Sequence, residues 1–384
     1  MKTQLKTLVL ALSILSITAC NAKDKKQNLA MRNVETEHHN PNKQFIKVAL
    51  LLDTSNSMDG LIDQAKAQLW EIVNELSYAK CGNNKPNLEI ALYEYGNDRL
   101  HSEEGYIRQV LSFSSDLDDI SKELFSLTTN GGNEFCGQVI QTSLNQLNWG
   151  KNPDDLKLIF IAGNEPFTQG KVNYQDASIN AKEKDVTVNT IFCGDYKQGV
   201  STYWKKGADL TQGDYMAINH NKATVHIASP YDDLILQLNI KLNKTYIAYG
   251  KYGNDKIAMQ AEQDTNASGY SKANAVSRTV SKSSHLYKNT TWDLVDAVKE
   301  KKVAIEDLEK DALPEALKNK SIASIKTYVA NMQKERNSIQ KEIQELNKKR
   351  RIYVSERQSK TTNSLENAMT KAIKTQAKKK KYTW

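Results

Sequence analysis

The 384-residue chain lacks the short motifs of three common enzyme classes and has only six histidines. It contains no Gly-x-Ser-x-Gly, no His-Glu-x-x-His and no Gly-Lys-Ser/Thr phosphate loop, which argues against a serine hydrolase, a zinc peptidase and a P-loop nucleotidase. No histidines have the spacing of a metal-ligand set. We therefore expect a protein without enzymatic activity. The enzymatic alternative is a hydrolase with Cys136 as its nucleophile and His220 or His226 as its base.

Long apolar runs are absent after the first twenty residues, so no later segment is expected to cross a membrane. Two lysines precede an apolar run at 7–17, which predicts a secretory signal peptide at residues 1–19. Cys20 follows a small residue and so resembles the lipidated cysteine of bacterial lipoproteins. The resemblance implies a lipid anchor in the cell envelope, on the periplasmic or surface side of the outer membrane; the alternative is an ordinary cleaved signal. Residues 20–43 are polar and aperiodic, which predicts a flexible tether.

Apolar strand patterns alternate with helical patterns from residue 44 to residue 247, which predicts one α/β domain. Such alternation is typical of a doubly wound, mostly parallel sheet whose ligands bind at the carboxyl ends of the strands. The predicted strands cover 46–52, 88–95, 107–113, 156–161, 186–193 and 215–219. The predicted helices cover 61–77, 117–127, 137–147, 174–184 and 231–246.

The first predicted strand ends in a carboxylate and two hydroxyls. Residues 48–60 read VALLLDTSNSMDG, in which Asp53, Ser55 and Ser57 follow the apolar run. These side chains can converge in the turn before the next helix, and they supply the hard oxygen ligands that Mg²⁺ prefers. Alternatively, Ser55 or Ser57 only caps that helix. A strand with this ending, followed at once by a helix, resembles the metal-ion-dependent adhesion site of the von Willebrand factor A domain.

The resemblance covers 44–247 and implies two more metal-binding loops, where the sequence departs from the family pattern. In the second, NGGNEFCG at 130–137 follows Thr128 and Thr129, so the Thr that the family commonly has here is either shifted or replaced by Asn133 or Glu134. In the third, AGNEPFTQG at 162–170 places Gly163 at the position of the family's Asp, with Glu165 nearby. Glu134 and Glu165 are therefore the further ligand candidates. Both stretches also resemble those of a bacterial lipoprotein subgroup of these domains.

The function that the resemblance implies is the binding of Mg²⁺, or of Mn²⁺ or Ca²⁺, together with adhesion to a protein partner that supplies an acidic residue. The alternative is a structural scaffold that has a vestigial metal site and assembles through its C-terminal helices. Thermal stability measured during a magnesium titration separates the two, because only a working site gains stability from the ion.

Only four cysteines are present, and lipidation of Cys20 would leave at most one intramolecular pair. Cys136 lies in a loop at the carboxyl edge of the predicted sheet, and Cys193 ends a strand that reaches the same edge. Cys81 follows the first helix and belongs at the opposite edge. We therefore expect a disulfide between Cys136 and Cys193, provided that the two α-carbons approach within about 7 Å.

The remainder of the chain reads as a linker and a helical extension. Residues 248–287 are rich in Gly, Asn, Ser and Ala, which predicts a linker with short helices, and 288–384 is a helical extension with a basic tail. Apolar residues three and four apart over 322–353 predict a coiled-coil seam with two arginines in it. Its partner is either the helix at 292–312, folded back as a hairpin, or a second copy of the chain. A basic tail could contact anionic lipid, lipopolysaccharide or nucleic acid, and the alternative is a solvated, frayed terminus. Of these partners, we do not expect nucleic acid.

Overall fold

The computed structural model describes residues 44–222, 226–357 and 364–384. The predicted signal peptide, Cys20 and the predicted tether lie outside the described residues. Eight strands are present in the described part: β1 (Phe45–Asp53), β2 (Lys80–Cys81), β3 (Asn87–Tyr95), β4 (Ile107–Ser114), β5 (Leu156–Gly163), β6 (Thr187–Cys193), β7 (Tyr215–Ile218) and β8 (Tyr382–Thr383).

The helices of the described residues are α1 (Asp59–Ser77), α2 (Leu117–Ser126), α3 (Cys136–Gln146), α4 (Tyr174–Glu183), α5 (Tyr196–Ser201), α6 (Trp204–Asp209), α7 (Asp232–Asn243), α8 (Gly253–Tyr270), α9 (Lys272–Lys282), α10 (Leu294–Lys299), α11 (Glu315–Lys318), α12 (Ile322–Arg357) and α13 (Leu365–Lys379). None of these is long and apolar enough to cross a membrane.

The central sheet has the order β4-β3-β1-β5-β6-β7, and only β4 runs antiparallel to its neighbour. This confirms the predicted doubly wound, mostly parallel sheet. Strand β1 lies in the middle, with Leu50 opposite Leu92 of β3 and Phe160 of β5. Its run of apolar residues is buried because helices cover both faces of the sheet.

Two hydrophobic cores lie on the two faces of the sheet. The first packs α1, α2, α7, α9, α12 and α13 against one face, and it contains Trp70 and Cys193. The second packs α3, α4 and α6 against the other face, and it contains Trp204 and Cys136. Helix α13 therefore belongs to the covering layer of the sheet, whereas α10, α11 and the start of α12 form a third, smaller core.

Residues 248–287, for which composition predicts a linker, fold mainly into α8 and α9. Ten of the eleven residues of α9 are buried. Its small polar side chains bond α1 closely: Asn274 Nδ2 donates to Ala67 O (2.7 Å), and Ser281 Oγ donates to Asn74 Oδ1 (2.8 Å). Serine, asparagine and alanine serve here as close-packing residues, a use that composition does not distinguish from a flexible linker.

Helix α12 is the single long helix that the spacing over 322–353 predicts. Its buried stripe contacts α7, α9 and α10 of the same chain, so the segment 292–312 is one part of a wider partner surface. The two seam arginines are held by carboxylates. Arg336 bonds Asp293 (2.5 Å) and Asp296 (2.8 Å), and Arg350 bonds Asp232 (3.0 Å).

The basic tail is docked on the domain, which corrects the expectation of a frayed terminus. Strand β8 pairs antiparallel with β2, and Tyr382 is 2% exposed. Lys380 Nζ lies 2.5 Å from Asp185 Oδ2 and donates to Pro153 O (2.7 Å). Backbone pairing and specific lysine contacts therefore fix the tail at the amino-terminal edge of the sheet.

Candidate metal centre

Asp53 ends β1 at the carboxyl edge of the sheet and is fully buried. Its Oδ1 accepts from Ser55 N (2.7 Å), which tightens the turn that follows the strand. Ser55 Oγ and Ser57 Oγ are 3.3 Å apart. Neither hydroxyl bonds a backbone group of α1, so the alternative of a simple helix cap is not realised by the structure. The turn thus gathers one carboxylate and two hydroxyls.

Glu134 lies against Asp53. The loop that carries it is fastened to the same edge by Asn130 N, which donates to Thr54 O (2.9 Å). Glu134 is 2% exposed. Its carboxyl group lies within hydrogen-bonding range of the carboxyl group of Asp53 and of the hydroxyl of Ser55. Two buried carboxyl groups therefore face one another.

Burial is the main cause that raises the pKa of both acids. For Asp53, the hydrogen bond to Glu134 and the charge of Glu134 raise the pKa further, whereas the bonds from Ser55 lower it. For Glu134, the bonds to Asp53 and Ser55 lower the pKa and the charge of Glu165 raises it. Without a bound cation, the pair thus retains a proton to higher pH than isolated carboxyl groups do.

Two glycines leave the space that the carboxyl pair occupies. Gly96 has φ of +80°, and a Cβ there would lie 2.8 Å from Asp53 Oδ1 and 2.9 Å from Glu134 Cγ. A Cβ on Gly163 would lie 2.5 Å from Tyr95 Oη and 3.1 Å from Asp53 Oδ2. Because the hydroxyl of Tyr95 donates to Ala162 O (3.0 Å), it stands where a side chain at position 163 would begin.

The third loop contributes Asn164 and the backbone of Glu165. Asn164 Nδ2 donates to Ser57 Oγ (3.2 Å), and Asn164 Oδ1 is buried without a hydrogen-bond partner in the described residues. Glu165 N donates to Glu134 Oε2 (3.3 Å), whereas the Glu165 carboxylate accepts from Gln169 (3.1 Å). The loop therefore brings the Asn164 amide to Ser57 and a backbone N–H group to Glu134.

The oxygen atoms at this edge fit a hard divalent cation. No donor among the described residues reaches Asp53 Oδ2, although this atom is buried. The neighbouring oxygens belong to Glu134, Ser55, Ser57 and Asn164, and carboxylate, hydroxyl and amide oxygens are the ligands that Mg²⁺ and Ca²⁺ take. The part of the chain that the structure describes holds no group of three or more His, Cys, Asp and Glu residues suited to a metal. An ion here would thus depend on neutral oxygens and water as well as on two carboxylates.

Sequence reasoning found Asp53, Ser55, Ser57 and Glu134, which the structure brings together, but it missed the roles of Tyr95 and Gly96. Both stand at the carboxyl end of β3, next to β1 in the sheet. Parallel strands present ligand-binding residues at their carboxyl ends, and β3 runs parallel to β1. The residues at the end of β3 could therefore have been identified from the sequence by the same rule.

Cys136 and Cys193 do not form the predicted disulfide in the structure. Both thiols are free and buried, and they belong to the cores on opposite faces of the sheet. Proximity to the same edge is therefore insufficient, because the sheet separates the two sulfur atoms. Burial also raises the pKa of Cys136 well above its ordinary value, which disfavours the thiolate that a nucleophile needs.

The sequence model of the von Willebrand factor type A domain matches residues 47–209. This range contains Asp53, Glu134 and Glu165, and it agrees with the resemblance that the first motif carries. The match covers less than half of the chain and leaves the C-terminal helices outside it. No curated protein sequence matches the chain.

Similar solved structures include the conserved hypothetical protein BatB from Bacteroides thetaiotaomicron, at 16% identity over 45% of this chain and 90% of that chain, with a TM-score of 0.35. The VWA domain of SpRpn10 is 15% identical over 45% of this chain and 87% of that chain, with a TM-score of 0.34. An aerotolerance-related membrane protein from Bacteroides fragilis is 15% identical over 46% of this chain and 93% of that chain, with a TM-score of 0.32. Likenesses this distant carry no argument about function.

Proposed function

We propose that the von Willebrand A-like region binds a divalent cation at Asp53, Ser55, Ser57 and Glu134, and that the bound ion accepts an acidic side chain from a protein partner. Mg²⁺ is the expected ion, with Mn²⁺ and Ca²⁺ as alternatives. The observation that carries the proposal is the contact between two buried carboxyl groups beside an Asp53 oxygen that no donor of the described residues reaches. Because burial raises the pKa of both acids, a bound cation would favour the fully ionised form of the pair.

The residues have different roles in this proposal. Asp53 and Glu134 supply the negative charge, and Ser55 and Ser57 supply neutral oxygens that set the geometry. Asn164 Oδ1 is a further neutral oxygen near Ser57. When bound, the ion supplies a positive centre that retains affinity for one more carboxylate. The carboxylate of Glu165 is a ligand candidate on sequence grounds, but this proposal does not count it among the direct ligands because it accepts from Gln169.

We also propose that the chain is a lipoprotein of the cell envelope, anchored through Cys20. The support is the sequence of residues 1–20, because these residues lie outside the described part of the chain. Such an anchor would keep the chain in the same compartment as an envelope or surface partner.

Binding of the ion is tested by calorimetry and thermal unfolding of the chain from residue 21, with Mg²⁺ or Mn²⁺ added at millimolar concentration. Wild-type protein should bind the ion and melt at a higher temperature, and Asp53→Ala should do neither while it keeps its fold. Glu165→Gln is the matched control and should still bind the ion, because the Glu165 carboxylate accepts from Gln169. If wild-type protein shows neither binding nor stabilisation, the scaffold with a vestigial site is the better description.

The partner half of the proposal needs a separate readout. Protein immobilised through its C-terminus should retain a partner from an envelope extract in Mg²⁺ and release it in EDTA. Asp53→Ala should retain nothing in either condition. A partner that is retained equally by Asp53→Ala, or equally in EDTA, would show that binding does not pass through the ion.

A further inference from the structure

A cavity of about 690 Å³ opens at the amino-terminal edge of the sheet, opposite the edge that carries Asp53. It lies between the loop that precedes β5, the turn between α4 and β6, and the end of α13. The charged residues that line it are Lys151, Lys157, Lys184, Lys380, Glu183 and Asp185. Cations outnumber carboxylates in this lining, so the cavity has an excess of positive charge.

Lys157 makes this cavity different from an ordinary patch of surface lysines. It is the second residue of β5, is 3% exposed, and its Nζ donates to Gly150 O (3.0 Å). Burial lowers the pKa of Lys157, and the charges of Lys380 and Lys47 lower it further, although the carboxylates of Asp185 and Asp155 act in the opposite direction. A buried ammonium group beside two others is stabilised when an anion approaches it.

The other lysines differ in how far they are already engaged. Lys380 is held by Asp185 and by the carbonyl oxygen of Pro153, which fixes one wall of the cavity. Lys151 and Lys184 are exposed, and neither takes part in an ion pair within the described ranges. Their flexible side chains can therefore turn towards a ligand that also contacts Lys157.

We propose that this cavity binds a phosphate-bearing ligand whose oxygens contact Lys151, Lys157 and Lys184. A phosphate group offers several acceptor oxygens and up to two negative charges, which suits three lysines that line one cavity better than a single carboxylate does. The volume lies within the range of small-molecule sites and leaves room for a group attached to the phosphate. The same chemistry occurs in free phosphate esters and in lipid headgroups. This site is independent of the metal site proposed above.

Calorimetry with inorganic pyrophosphate and glycerol 3-phosphate tests the free form of the ligand. Co-sedimentation with phosphatidylcholine vesicles, with and without an equal part of phosphatidylglycerol, tests the headgroup form. Both use the chain from residue 21, which has no lipid of its own. Binding to the soluble phosphates alone identifies a free ester, and binding to the mixed vesicles alone identifies a headgroup. Absence of binding in both experiments overturns the proposal.

Variants separate the cavity from general attraction to a basic protein. The double variant Lys151→Gln/Lys184→Gln changes two exposed residues and should keep the fold. Loss of each lysine should weaken binding about fivefold, so the double variant should bind about 25-fold more weakly. Lys157→Gln should weaken it at least as much as either single change. Lys334→Gln, an exposed lysine of α12, is the control and should bind as wild type. Equal effects of the double variant and the control, or no effect of the double variant, would overturn the site.

Discussion

Binding of Mg²⁺ should release protons from the pair formed by Asp53 and Glu134. Burial raises the pKa of both carboxyl groups, so the metal-free pair retains a proton to higher pH than two exposed acids would. The ion and the proton compete for the same oxygens. Affinity for Mg²⁺ should therefore fall as the pH falls through the raised pKa of the pair, and rise as the pH increases.

The expected size follows from simple arithmetic. Release of one proton per ion corresponds to about a tenfold change in affinity per pH unit, and partial release to less. At an ion concentration of about a hundred times the dissociation constant, binding stabilises the folded state by about 2.7 kcal/mol. With an unfolding entropy of about 2.1 cal/mol/K per residue, that is a rise of about 3 °C in the melting temperature of a chain of this length.

The assay is titration calorimetry of Mg²⁺ in two buffers that differ in ionisation enthalpy, since the difference in heat gives the number of protons released. Glu134→Gln removes one titrating group, so it should lower the number of protons released and weaken binding. Glu165→Gln should lower the number of protons released less than Glu134→Gln does, because the Glu165 carboxylate is engaged with Gln169 and acts on Glu134 only through its charge. Equal proton release by wild type and Glu134→Gln would refute the assignment of the proton to this pair.

Three further changes test other parts of the argument. Burial raises the pKa of Glu366 from 4.5 to about 7, and the charges of Glu71 and Glu75 contribute to the increase. Between these two values the folded state binds more protons than the unfolded state, so the protein loses stability as the pH rises through them. Glu366→Gln should therefore stabilise the protein by about 1 to 3 kcal/mol at about pH 8 and have no effect below pH 4.5, as measured by urea unfolding. Arg336→Met should cost about 3 to 5 kcal/mol in the same assay because it strands the buried carboxylate of Asp293, and adding Asp293→Asn should recover part of that loss. Cys20→Ser should move the protein from the membrane fraction to the soluble fraction or leave an uncleaved precursor; a mature protein that still sediments with membranes would contradict the anchor.

The α/β part of the fold was predictable because each strand is an apolar run that ends in turn residues. The six strands of the sheet occupy the segments that the pattern predicts, and this alone indicates which loops meet at the carboxyl edge. The pattern could not show that α9 is buried. Its apolar side chains are few, and its close packing on α1 depends on small polar residues that each find a partner in the folded state.

The candidate site was predictable to the level of which loops contribute, but not of which atoms meet. Sequence position brings Glu134 and Glu165 to the same edge, yet only the Glu134 carboxyl group faces Asp53, because the Glu165 side chain turns to Gln169. Cys136 and Cys193 illustrate the same limit. Both residues lie at the predicted carboxyl edge. The sequence pattern did not show that they lie on opposite faces of the sheet, which keeps the two sulfur atoms apart.

The second acidic residue of the site stands in the second loop for a steric reason. At position 163, any Cβ would lie 2.5 Å from Tyr95 Oη, so an aspartate cannot be placed there while Tyr95 is present. Tyr95 is fully buried and its hydroxyl bonds Ala162 O, so it cannot move aside. Glu134 approaches Asp53 next to Gly96, which has no side chain in the way. It supplies the second carboxylate that Gly163 does not. Gly163→Asp should therefore destabilise the fold in urea unfolding, and replacement of Tyr95 by a smaller residue should recover part of that loss, because Asp53 also lies close to position 163.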